Sequence, residues 1–123
     1  MEKDVREQHT PAATGKADLN ILTNSLTTIY TPNSIRRPAL GSIILCNTDS
    51  SARTVDLSVN DGSTDYYLLN SHSLAAGETY VLKGAERVLL HLETTWTIKA
   101  LASVTNVVHC TLSILEEEGR ALV

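Results

Sequence analysis

Four histidines, two cysteines and a scatter of carboxylates are the residues here that could do chemistry, and their spacing decides which chemistry is open to them. Histidine is the commonest general base and metal ligand. His9 lies in a polar N-terminal stretch, His72 beside a turn, and His91 and His109 at outward positions of separate alternating segments. No two stand at the H-x-H or H-x-x-x-H spacing that sets two imidazoles on one metal, so only His91 with His109, on adjacent strands, could be brought together as ligands. Cys46 and Cys110 are far apart, each inside an apolar segment and not in a C-x-x-C pair. They read as two small buried hydrophobes, with a disulfide between facing strands as the alternative.

Nucleophilic catalysis finds no support either. The chain has many Ser and Thr residues but no G-x-S-x-G elbow, and a catalytic cysteine would need an adjacent base. Asp56, Asp61, Asp65, Glu78 and Glu93 are spread over turns and polar faces and do not form the facing pair that glycoside hydrolysis requires. Asn60-Asp61-Gly62-Ser63-Thr64-Asp65 repeats oxygen ligands as a calcium loop does, but lacks the twelve-residue spacing and the closing Glu. A hairpin turn explains it better. Tyr66, Tyr67, Tyr80 and Trp96 could stack on sugar rings, yet with Tyr30 they are all the aromatics there are, and packing at the core and rim accounts for them. Arg36-Arg37 is the one basic doublet, either a solvated corner or an ionic contact to an acidic neighbour. No reaction centre emerges, so neither enzymatic activity nor a cofactor is expected.

The elements that carry these residues read as short strands. Residues 1–19 mix charge with Thr, Ala, Pro and Gly at neither a helical nor a strand period, and are expected to form an extended N-terminal arm. Residues 20–31 make a first strand, ending at Pro32-Asn33. Ala39 to Asn47 holds the unbroken run Ile43-Ile44-Leu45-Cys46, which reads as a strand covered on both faces. From Arg53 to Asn60 the alternation is clean, with Val55, Leu57 and Val59 on one side. Asn60-Asp61-Gly62-Ser63 then predicts a hairpin returning through Thr64 to Leu69, because Asn, Asp and Gly tolerate positive φ. Further strands are expected over Glu78–Leu82, Val88–Leu92 and Trp96–Ser103, and a last one turns Val108, Cys110, Leu112 and Ile114 inward. The expected fold is all-β: a single antiparallel β-sandwich over residues 20–115, jelly-roll-like, with about eight strands and a C-terminal tail at 116–123.

Composition narrows the function. The 123 residues suit one domain, and 42% hydrophobic against 20% charged is an ordinary globular balance. A net charge of −4 gives no positive field to hold a phosphate backbone, so no nucleic-acid partner is expected. No apolar run approaches the length of a membrane helix, and Met1-Glu2-Lys3-Asp4 lacks the apolar stretch of a secretory signal; the expectation is a chain made and kept in the cytosol, without a membrane partner.

Five segments together resemble a small β-sandwich module of tailed-bacteriophage virion proteins of the decoration, neck or tail accessory type. They are Ile29-Tyr30-Thr31-Pro32, Ser42 to Thr48, Arg53-Thr54-Val55, Tyr67-Leu68-Leu69 and Leu74 to Leu82, and the match runs from about Leu26 to Ile114. The module's usual Val before the proline and Gly after it are replaced here by Thr31 and Asn33. The resemblance implies a non-enzymatic virion structural protein, assembled in the host cytoplasm, which self-associates and docks on the particle. A capsid decoration (cement) subunit is the leading form, a homo-oligomer with a trimer favoured, on the major capsid protein. A neck, collar or tail-fibre attachment piece and a carbohydrate-binding module for host recognition are the alternatives. The site is then an interface: Lys3, Arg6, Lys16 and Leu19 in the arm for anchoring, Arg36 and Arg37 for ionic register, and Glu116, Leu122 and Val123 in the tail for subunit contact. A polar arm of this kind gains order when a partner supplies the surface.

Overall fold

A computed structural model describes residues 13–32, 36–82 and 95–118. It contains eight strands: β1 Ala13–Ile21, β2 Thr27–Tyr30, β3 Arg36–Asn47, β4 Arg53–Asn60, β5 Asp65–Leu74, β6 Thr79–Leu82, β7 Thr97–Ala102 and β8 Val108–Glu118. The antiparallel pairs β1–β8, β2–β7, β3–β6 and β4–β5 join the outermost strands to each other and work inward, so the chain folds back on itself as one long hairpin with the β4–β5 turn at its apex. Lateral pairing of β3 with β8 and of β4 with β7 then rolls that ribbon into two four-stranded sheets, ordered β1-β8-β3-β6 and β2-β7-β4-β5. This is the double-sheet jelly roll, and the expected all-β sandwich stands.

The apex turn forms where its residues predict. Asn60 pairs with Asp65, Gly62 takes a φ of 106°, and Asp61 Oδ1 accepts from the backbone N–H groups of Thr64 (2.8 Å) and Ser63 (3.0 Å). Those N–H groups, Thr64 first, hold the Asp61 carboxyl below the usual carboxylate range. From there β5 runs on to Leu74 instead of stopping at Leu69. A bulge allows this: Ser71 adopts a φ of 53° and donates its N–H to Asp56 Oδ1 at 2.6 Å, absorbing the register shift between Val55 and Leu57.

Period-two alternation fills the space between the sheets. Val55, Leu57 and Val59 of β4, Ile98, Ala100 and Ala102 of β7, and Val108, Cys110, Leu112 and Ile114 of β8 are buried as the sequence predicts, joined by Ile43, Leu45, Leu69 and Leu74. At one end the buried Asn47 fastens three segments. Its Nδ2 donates to the carbonyls of Ser51, Leu74 and Ala75 at 2.9 to 3.1 Å, and its Oδ1 accepts from Asp49 N–H at 3.0 Å.

Four expectations need correction or limit. Residues 13–19, assigned to the arm, form most of β1 and pair with β8, while the strand expected over 20–31 divides into the end of β1 and the separate β2. In β1 the alternation is inverted: Lys16, Asp18 and Asn20 share the side that looks between the sheets, and Leu19 and Ile21 are exposed, so no core-facing pattern marks it. The run Ile43 to Cys46 is not covered on both faces among the described residues, since Ile44 and Cys46 are only half-buried. Glu116, placed in the tail, is a buried residue of β8. The strand expected over Val88–Leu92 lies outside the described residues.

Candidate assembly surface

Strand pairing brings together the three regions singled out in the sequence as interface segments. At one end of the first sheet, Ala13 of β1 stands in register with Glu117 of β8, and Arg36 and Arg37 of β3 with Glu118 and Glu117. The basic doublet is therefore in strand register with an acidic run of its own chain. Lys3, Arg6, Leu122 and Val123 lie outside the described residues.

Beside this corner the two sheets are tied by a polar cluster whose centre, Tyr30 with Glu116, is buried. Tyr30, closing β2 of the second sheet, is 3% exposed and donates its hydroxyl to Glu116 Oε2 at 2.7 Å, across the sandwich. Lys16 of β1 lies 3.7 Å from Glu116 and 3.6 Å from Asp18, with its ammonium 5.7 Å from the centre of the Tyr30 ring. A carboxylate can be buried here because it is both paired and hydrogen-bonded. Burial, then the hydrogen bond to Glu116 and the charges of Glu116 and Asp18, push the Tyr30 phenol well above its ordinary value of 10.

The outer face of the same sheet is the larger feature. Register sets Leu19, Thr111, Ile44 and Val81 in one row across all four strands, with Ile21, His109, Cys46 and Thr79 in the next. A third row sets Gly15, Leu115 and Ala39 side by side across β1, β8 and β3. Leu19 is 78% exposed, Ile21 57%, Leu115 42% and Val81 37%, which is more apolar surface than a sheet face meant for water carries. Of these residues the sequence reading singled out Leu19 alone. The unbroken apolar run in β3 signals only that strand's own outward residues, Ile44 and Cys46, because a run of that kind marks a strand meant to be covered on both sides.

Elsewhere the candidate chemistry separates. Leu45 stands opposite Cys110 and Cys46 opposite His109, so the two cysteines leave opposite faces of one sheet; both are free thiols, and burial pushes Cys110 up to about 12. His109 is exposed on the outer face, His72 packs against Tyr80 with ring centroids 4.4 Å apart, and His9 and His91 lie outside the described residues. Among the described residues no three His, Cys, Asp or Glu side chains gather where a metal could bind, and no helix is long and apolar enough to cross a membrane. Tyr66 and Tyr67 are exposed but consecutive in β5, so they point to opposite sides and build no common stacking platform.

No family model matches the chain, and no curated protein matches it. Solved structures similar to it include two virus chains. A chain of the T13 IBDV viral particle, a structure said to reveal a missing link in icosahedral virus evolution, aligns over 88% of this chain and 31% of its own at 7% identity, with a TM-score of 0.51. A chain of the infectious bursal disease virus Gx strain aligns over 89% of this chain and 38% of its own, at 10% identity and a TM-score of 0.45. The chain thus spans about a third of the length of either. At that identity the first likeness shows the fold: a jelly roll of the kind found in an icosahedral virus particle.

Proposed function

We propose that the protein is a non-enzymatic structural subunit of a virus particle, and that it works as a decoration (cement) subunit docked on the shell of a tailed bacteriophage. The observation that carries this reading is the outer face of the first sheet, where Leu19, Ile21, Ile44, Val81 and Leu115 collect on a sandwich whose core is already closed. A surface of that kind is stable in water when another subunit covers it. The jelly roll shared with a chain of an icosahedral particle supports the same reading, as does the sequence resemblance to virion accessory modules. Arg36 and Arg37, the end of β8 and the start of β1 stand side by side at one end of the first sheet, which suits an ionic contact to a neighbouring subunit. In this reading the bound form is a homo-oligomer, with a trimer favoured.

Adding the purified chain back to shells that lack it tests the proposal. Saturable co-sedimentation with a fixed number of copies per shell is the expected result, and no binding at any salt concentration would overturn it.

A further inference from the structure

We infer that β1 is a two-fold self-association edge, at which a second copy of this chain adds its own β1 antiparallel and extends the first sheet into one continuous sheet across two molecules. This rests on the reading of the chain as self-associating, gives a two-fold dimer in place of the favoured trimer, and does not depend on a particle.

The strand itself carries the argument. Among the described residues β1 pairs on one side only, with β8, so its other edge presents the donors and acceptors that template a further strand. It is nine residues long and contains no proline and no bulge, two devices by which edge strands avoid partners; a third, inward-pointing charge, is present as Lys16 and Asp18, so a partner strand must match those two charges. A two-fold axis through an antiparallel pair sets one residue opposite its own copy, and β1 is centred on Ala17. With Ala17 on the axis all nine residues pair and Lys16 stands directly opposite Asp18 of the second copy, twice by symmetry. Moving the axis to residue 16 sets Lys16 against Lys16, and moving it to residue 18 sets Asp18 against Asp18. Like charges directly opposite are destabilising, so charge selects the one register that also gives full overlap.

Shape selects it too. In that register Leu19, the most exposed large apolar side chain among the described residues, stands opposite Gly15 of the second copy, on the same outer face. A Cβ at Gly15 would meet nothing within 4 Å, and Gly15 is itself in register with the half-exposed Leu115. Leu19 of one copy therefore lies across the bare backbone at Gly15 and reaches Leu115 of the other, and the contact does this at both ends. Lys16 keeps its bonds to Asp18 and Glu116 within the chain and gains a third carboxylate.

The test uses the full chain alone. On a Cys46→Ser background, Ala17→Cys is expected to give an oxidised dimer, while Ser42→Cys, on the same face but two strands inward, stays monomeric under the same conditions. Leu19→Lys is expected to weaken dimerisation at least tenfold in sedimentation equilibrium, with an unchanged circular dichroism spectrum. Equal crosslinking at positions 17 and 42, or a wild-type chain that stays monomeric or forms trimers without the position 17 link, would overturn the inference and leave particle docking untouched. Should a variant fail to fold, zero-length amine-to-carboxyl crosslinking of mixed ¹⁴N and ¹⁵N wild-type chains reads the same contact: a Lys16–Asp18 link of mixed isotope supports it, and links of one isotope only contradict it.

Discussion

Tyr30 and Glu116 belong to different sheets, yet a 2.7 Å hydrogen bond joins them inside the sandwich, and the Lys16 ammonium lies 3.7 Å from the same carboxylate oxygen. The rest of the interface between the sheets is mostly aliphatic and non-directional. This bond fixes how the ends of β2 and β8 meet, and through Lys16 it holds β1, the strand with the most exposed apolar side chains, on the sheet.

Removing the hydroxyl should therefore be felt in stability and in its pH dependence. Tyr30→Phe is expected to cost about 1–3 kcal/mol at neutral pH, as for a hydrogen bond to a charged group. The folded phenol is raised above its ordinary value of 10, so its contribution is complete below pH 10 and is lost as pH climbs from there toward the folded value. Denaturant titrations should show the gap between wild type and Tyr30→Phe narrowing above pH 10. A gap that stays constant to pH 11 would show that the hydroxyl does no such work.

The two thiols should differ sharply in reactivity. Cys110 is buried and its thiol is pushed up to about 12, whereas Cys46 sits half-buried on the outer face. A maleimide at neutral pH is expected to label Cys46 in the native protein and Cys110 only after unfolding, as read by mass spectrometry of the peptides. Equal labelling rates would mean that β8 does not hold Cys110 inside.

Asn47 has a purely structural role. Replacing it with Ala leaves three carbonyls without their donor at the meeting point of β3, the loop to β4 and the end of β5. Asn47→Ala should lower stability by about 2–3 kcal/mol, seen as a shifted denaturant midpoint with an unchanged slope.

Docking through the charged corner should depend on salt. Arg36→Ala with Arg37→Ala is expected to weaken shell binding most at low ionic strength, the difference shrinking toward 1 M salt, where the screening length falls to about 3 Å. A defect that grows with salt would place the doublet outside the contact.

Local chemistry was legible in the sequence and long-range geometry was not. The β4–β5 hairpin announced itself through Asn60-Asp61-Gly62-Ser63, and β7 and β8 through strict alternation, because both signals sit within a few residues. Strand β1 hid among polar residues because Leu19 and Ile21 face away from the core and Lys16 and Asp18 toward it. Nothing short encodes the meeting of Lys16, Tyr30 and Glu116, which depends on β1–β8 pairing and on the stacking of two sheets. The unbroken run through Ile44 and Cys46 did report an outer face fit for covering.

Quantitative proteomics combined with imaging of purified particles, from the source in which the chain is made, tests the proposed role most directly. The chain is expected in every particle at a fixed, symmetry-related copy number, as density on the outside of the shell. Its absence from purified particles would contradict that role outright.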